Sequence, residues 1–194
     1  APLMLQELEA TPWHVGMQRL TGVEHGAHTG ALTLKSAYEL GIRCVLINHM
    51  EHGPISKDAL CSLLEGCHTY SMVPIVCLGE QYKKEGRITL SFYQKSLLRM
   101  VCKYMQTKRF IIAFEPYWAT GTMESASTEY ITAMLASIKH EIDSSEIEHR
   151  YSLIYGGSVD ETSLSQILHE TPAEGVLVGR ASTDFKRIEN MLSS

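Results

Sequence analysis

The chain has 194 residues, 44% of them hydrophobic and 20% charged, with a formal net charge of -5. That balance excludes a disordered or low-complexity chain, and the absence of a basic stripe argues against a nucleic-acid partner. It leaves room for a small anionic ligand, because backbone amides and helix N-termini bind phosphate even in an acidic protein.

The five cysteines, Cys44, Cys61, Cys67, Cys77 and Cys102, are odd in number and lie mostly in apolar runs, so they read as reduced core residues of a cytoplasmic protein. Cys61 and Cys67 with His52 and His68 lack CxxC or HxxxH spacing, and no metal is expected there. Every apolar run is short and interrupted, so neither a signal peptide nor a membrane span is expected.

In chain order, Pro2 to Glu9 suits a short helix and His14 to Met17 a strand, followed by a Gly-rich loop over 21–30. Thr33 is placed to cap a helix through Leu40, with Gly41 ending it. Arg43 to Asn48 is an apolar strand that delivers His49 and Glu51 at its C-terminal end, and a helix from Ser56 to Gly66 follows Pro54. Pro74 to Leu78 is a strand, Thr89 to Met105 the longest amphipathic helix, and Phe110 to Glu115 the next strand. A helix over 127–142, a strand over 151–155 and a helix over 161–168 come next. Gly175 to Val178 is the last strand, before a terminal helix from Asp184.

Strand and helix thus alternate in about six βα units within one domain, 1–194. The strands are too continuously apolar to face water on either side, which predicts a parallel sheet covered by helices. An open doubly wound sheet and a closed barrel share this periodicity. In both, glycines and polar residues after the strands gather chemistry at one face, the C-terminal end of the sheet.

Glu115 stands at the mouth of the most apolar strand and runs into Pro116, Trp118 and Gly121. A desolvated carboxylate beside a loop with a stiff start and a permissive end suits a catalytic base under a moving lid, although a helix-capping or Arg-paired Glu has the same local pattern. Gly121, Gly156-Gly157-Ser158 and Gly179 fall after consecutive strands, where close-approaching amides suit a phosphate monoester.

Several segments resemble the triosephosphate isomerase family. Gly26-Ala-His-Thr-Gly30 resembles its GAFTG loop, Ile47-Asn-His-Met-Glu51 its IGHSE segment and Ile75 to Glu80 its PIVCxGE motif. Ala113 to Thr122 resembles AYEPVWAIGT, Tyr155 to Val159 is the family's YGGSV, and Leu177 to Ser182 resembles LVGGAS. The motifs occur in family order along nearly the whole chain. The resemblance implies a (β/α)8-type barrel and an isomerase of glycolysis and gluconeogenesis that interconverts glyceraldehyde 3-phosphate and dihydroxyacetone phosphate. It implies Glu115 as the base, His49 as the neutral imidazole acting on the enediolate oxygens, and Glu51 as an orienting carboxylate. Pro116, Trp118, Ala119, Thr120 and Thr122 would belong to the lid, and Gly121, Gly157, Ser158, Gly179 and Arg180 would hold the phosphate. No metal or organic cofactor is called for, and a cytoplasmic homodimer through the loop around Thr29 is implied.

The chain also departs from the family. Ala1-Pro2 aligns with the end of the family's second strand, so the first two βα units, with their Asn-x-Lys, have no counterpart in these residues. Met50 stands at the serine of IGHSE, His52 at the following arginine, Ala31 at the glutamate after GAFTG, Met123-Glu124 at the usual Gly-Lys and Arg180 at a glycine. Two other readings accompany the triose isomerase: an isomerase of a larger, tetrulose phosphate, and a catalytically degenerate paralogue that binds phosphate or scaffolds a partner.

Overall fold

The computed structural model describes residues 8, 11–22, 29–83, 88–119, 125–145 and 147–193. The helix expected over 2–9 apart from Leu8, most of the Gly-rich loop and the tip of the expected lid, including Thr120, Gly121 and Thr122, therefore lie outside the described residues. Five strands make one parallel sheet in sequence order: β1 (Gly16–Met17), β2 (Cys44–Ile47), β3 (Val73–Glu80), β4 (Arg109–Pro116) and β5 (Arg150–Tyr155). Cys44 pairs with Val73, Gly79 with Glu115 and Phe114 with Tyr155, so β3, β4 and β5 end close together.

The helices form where the sequence supplies both an apolar stripe and a capping hydroxyl. Thr33 caps α1 (Leu34–Glu39) by accepting from the Ser36 amide, and Ser56 caps α2 (Lys57–Tyr70) through the Ala59 amide. α3 (Phe92–Met105) opens on a reciprocal capping box between Ser91 and Gln94, and Ser127 caps α4 (Thr128–Asp143). The chain ends in α5 (Ser163–Glu170) and α6 (Phe185–Ser193), the latter with its first amides bonded to the Asp184 carboxylate.

One side of the sheet faces these helices. Val45, Ile47, Val76, Leu78, Ile112 and Phe114 bury there against Leu64, Leu98, Val101, Ile131 and Leu135 in one continuous core. Burying each such side chain contributes roughly 1.5–3 kcal/mol before entropy is subtracted.

Three sequence expectations need correction. α2 does not stop at Gly66 but runs to Tyr70, where Ser71 takes a left-handed turn with φ 53°. Gly66 is a packing glycine: a Cβ there would lie 2.4 Å from Leu34 Cδ1, so the missing side chain lets α1 settle on α2. The Gly175–Val178 segment forms only an isolated parallel bridge, Tyr155 with Val176, with no ladder beyond it.

The opposite face of the sheet is not fully covered either. Leu46, Ile75, Ile111 and Ile154 alternate with the buried set and are only half-buried, because the described strands form an open sheet and do not close on themselves. The parallel, helix-covered α/β layering expected for the barrel class is nonetheless present.

The Gly66 contact is testable by unfolding in urea. Gly66→Val should lower stability by about 1–3 kcal/mol through overpacking, and the loss should shrink when Leu34→Ala supplies the room. Strict additivity of the two changes would contradict the contact.

Candidate active site

The sheet period decides where Glu115 goes. Phe110, Ile112 and Phe114 of β4 point to the helices, which turns Ile111, Ala113 and Glu115 to the other face. Glu115 is 1% exposed, and neither of its carboxylate oxygens has a hydrogen-bond partner among the described residues. Burial raises its pKa to about 7; the Cys77 thiol from β3 opposes that rise and the charge of Glu51 adds to it. Gly156 makes the position possible, since a Cβ there would lie 2.7 Å from Glu115 Cγ. Burial and the neighbouring Glu115 in turn push the Cys77 thiol far above the usual range, so this cysteine stays protonated.

His49 follows β2 and caps a short 3-10 turn, Met50–His52. The Glu51 amide donates to His49 Nδ1 at 3.4 Å. An accepting Nδ1 leaves the ring proton on Nε2. Nε2 faces Glu115 Oε1 at 3.6 Å, beyond an ordinary hydrogen bond. Burial lowers the His49 pKa, the Glu51 charge raises it and His52 lowers it, with a net fall. The imidazole is therefore neutral near pH 7, and so the pair is a neutral donor facing a buried carboxyl group, with no ion pair between them.

The loop after β4, expected as a lid, is fastened to the sheet at its start. Pro116 is buried at the end of β4, Ala119 is 1% exposed, and the Ala119 amide donates to the Pro116 carbonyl at 2.9 Å. Trp118 Nε1 donates to Glu80 Oε1 at 3.4 Å, and the Tyr130 hydroxyl donates to the same oxygen. Trp118 and Tyr130 also meet edge to face at 5.3 Å, and Lys83 Nζ lies 5.4 Å from the centre of the indole.

Residues on both sides of 120–124 meet the loop after β5. Ser158 Oγ donates to the Ala119 carbonyl at 2.7 Å, Ser125 Oγ donates to the Ser158 carbonyl, and the Ala126 amide donates to the Tyr155 hydroxyl at 3.0 Å. Gly157 is buried in this loop, with its α-carbon against the Tyr155 hydroxyl. The parallel bridge at Val176 carries the chain on beside β5 to Gly179 and Arg180, which are exposed at the start of a 3-10 turn, Arg180–Thr183.

His49 and Glu115 are thus brought together, and Pro116, Trp118, Ala119, Gly157 and Ser158 surround the same strand ends. Glu51 contributes a backbone amide, while its side chain is exposed. Thr29 and Gly30 form an exposed turn remote from this cluster in sequence. Sequence reasoning missed Tyr155, Glu80 and Asn48 as site builders. For Asn48 the signal was available, as a side chain standing where the resembling segment has glycine. Among the described residues no group of three or more His, Cys, Asp or Glu side chains is placed to hold a metal ion, and no helix is long and apolar enough to cross a membrane.

Burial of Glu115 makes stability depend on pH. Its folded value of about 7 exceeds an unfolded value of about 4.3, so the folded chain holds an extra proton between them. The resulting stability is fully present below the unfolded value and is lost as pH rises through about 7. On the order of 3 kcal/mol rides on this group. Urea unfolding across pH 4.5 to 8 should show the stability difference between Glu115→Gln and parent changing by about that amount. Parallel curves would contradict the burial.

Comparison with known proteins gives a consistent result. The family model described as "Triosephosphate isomerase" matches residues 3–194. The chain is 29% identical over 196 residues to the triosephosphate isomerase of Gloeobacter violaceus, covering 98% of this chain and 79% of that protein. It is 29% identical over 202 residues to that of Clostridium botulinum strain Loch Maree, covering 97% and 81%. Identity reaches 30% over 188 residues with that of Onion yellows phytoplasma, covering 92% and 68%.

Proposed function

The chain belongs to the triosephosphate isomerase family, and from that membership we propose that it interconverts dihydroxyacetone phosphate and glyceraldehyde 3-phosphate, with Glu115 and His49 as the working pair. The observation that carries this reading is the buried Glu115 carboxyl group, with only the weak Cys77 thiol acting on it as a donor among the described residues, its Oε1 facing Nε2 of a neutral His49 at 3.6 Å. A base needs a carboxylate that has not spent its lone pairs, with a pKa near the working pH. An electrophile at a carbonyl needs a neutral donor whose tautomer is already set.

In the proposed reaction Glu115 takes a proton from the hydroxyl-bearing carbon of the ketose, and the electron pair of that C–H bond forms the carbon–carbon double bond of an enediolate. The carbonyl π electrons move onto oxygen, where the His49 Nε2–H stabilises and protonates them. The imidazole then recovers a proton from the neighbouring hydroxyl, and Glu115 returns its own to the adjacent carbon. One hydrogen changes carbon, and no external electrons are needed.

The phosphate would rest on amides of Ser158, Gly179 and Arg180 together with Gly121, at the ends of successive strands. Arg180 would add a guanidinium beside them. Trp118 and Ala119, tied to Glu80 and Ser158, would set the hinge of a lid that keeps water from the enediolate. The same reading takes 1–194 as one domain working in the cytoplasm as a homodimer through the Thr29 loop.

The test is triose phosphate isomerisation by the purified chain, with Glu115→Gln as the control for contaminating enzyme. The variant should lose roughly 10²- to 10⁴-fold in kcat, as should His49→Gln to a lesser degree. For the parent, kcat/KM should climb tenfold per pH unit up to about 7 and then level, because the base must be ionised. Parent activity no greater than that of Glu115→Gln would overturn the reading and turn the search to tetrulose phosphates or to a binding partner.

A further inference from the structure

Asn48 links more of the site than any residue the chemistry itself uses. It is the last residue before His49 and sits in the left-handed region at φ 62°, where a non-glycine residue is uncommon and Asn is one of the few that adopt it readily. Its side chain reaches three separate elements. Nδ2 donates to the Cys77 carbonyl of β3 at 2.8 Å. Oδ1 accepts from the Ile55 amide at 3.0 Å and from the Tyr93 hydroxyl, in the first turn of α3, at 3.0 Å.

Each bond has a different consequence for His49. The bond to Cys77 fixes the end of β2 against β3, whose Gly79 lies opposite Glu115. The bond from Ile55 closes the loop over 49–55, which contains the turn whose Glu51 amide holds His49 Nδ1. The bond from Tyr93 ties that assembly to a helix on the far side of β3 in sequence. A glycine at this position would adopt the same φ but make none of the three bonds, leaving the left-handed turn to hold the imidazole alone.

We propose that Asn48, supported by Tyr93, is a positioning residue: it sets the distance and tautomer of His49 relative to Glu115 through its bonds to Cys77, Ile55 and Tyr93. Its catalytic meaning rests on the isomerase reading, while the placement of the imidazole does not. Asn48 touches no reacting atom; it acts through the His49 backbone and through closure of the loop that follows.

The variants are Asn48→Gly, which keeps the backbone conformation and removes all three bonds, and Tyr93→Phe, which removes one oxygen. Two measurements are made on each: kcat and KM for triose phosphates, and the 15N spectrum of the His49 imidazole in the free protein. Asn48→Gly should lower kcat roughly 10- to 100-fold with KM nearly unchanged, since small displacements of a catalytic group act on the chemical step. The parent spectrum should show the proton on Nε2, and the variant a mixture of tautomers. Tyr93→Phe should move both readouts the same way by a smaller factor, and it decides the matter if Asn48→Gly fails to fold.

A lower unfolding midpoint with unchanged kcat and an unchanged Nε2 proton would overturn the proposal and leave Asn48 a structural residue only. A parent with no isomerase activity would sink the functional reading instead. The spectrum needs no substrate and would still decide whether Asn48 places the imidazole.

Discussion

The site depends on one costly fact: a carboxyl group is held at the end of β4 with its oxygens buried and with no hydrogen-bond partner among the described residues. Leaving such a group unpaired costs free energy that packing elsewhere must offset. The offset comes from the helix side of the same strand, where Phe110, Ile112 and Phe114 are fully buried. Strand alternation couples the two, since the residues that anchor β4 to the helices also turn Glu115 to the opposite face. The carboxyl group answers its surroundings by holding its proton up to about pH 7.

Around that group, close approach is arranged by small residues and fixed dipoles. Gly156 lets the β5 loop pass against the Glu115 side chain, and the Gly156 amide is spent on the Phe114 carbonyl at 2.8 Å, not on Glu115. His49 has its Nδ1 occupied by a backbone amide, which fixes the tautomer without placing a charge beside the carboxyl group. The balance differs from that of a structural Glu–His pair, in which a proton would shift and the two would lock as ions. Here both partners are pushed toward neutrality by burial, and each keeps one functional atom available.

The loop after β4 shows how a loop is made to start in one place. Glu80, at the end of β3, receives both the Trp118 indole and the Tyr130 hydroxyl. That loop, the sheet and α4 therefore share one acceptor. On the other side Ser158 and Tyr155 bind groups of Ala119, Ser125 and Ala126, so the loops after β4 and β5 are tied to each other. Asn48 performs the same service for the His49 loop. In each case a single polar side chain at a strand end ties together segments that lie far apart in the chain.

Much of this was legible from residue patterns. A hydroxyl before an apolar stripe marked the start of the helix at Thr33, and periodicity placed the starts near Ser56, Thr89 and Ser127 within a few residues of those observed, because caps and periodicity are local. Glu115 and His49 were legible as polar residues at strand ends, and the order of motifs pointed to the family. Other features needed contacts between distant residues. Gly66 reads as a helix stop until Leu34 is seen lying where its side chain would be. Gly175 to Val178 has the composition of a strand, yet ladder formation depends on what lies beside it, and it pairs with β5 through a single bridge, Tyr155 with Val176. Apolar strands were read as covered on both faces; the half-buried Leu46, Ile75, Ile111 and Ile154 show that coverage is decided by which strands close the sheet. The roles of Asn48, Glu80 and Tyr155 likewise rest on bonds across 29 to 50 residues of chain. The sequence by itself determined where helices begin and which polar residues stand at the strand ends, since caps and periodicity act over a few residues. The tertiary structure alone decided that Glu115 is buried with no hydrogen-bond partner for its oxygens among the described residues and that His49 faces it through Nε2, because desolvation and tautomer are set by neighbours that the chain order does not place together.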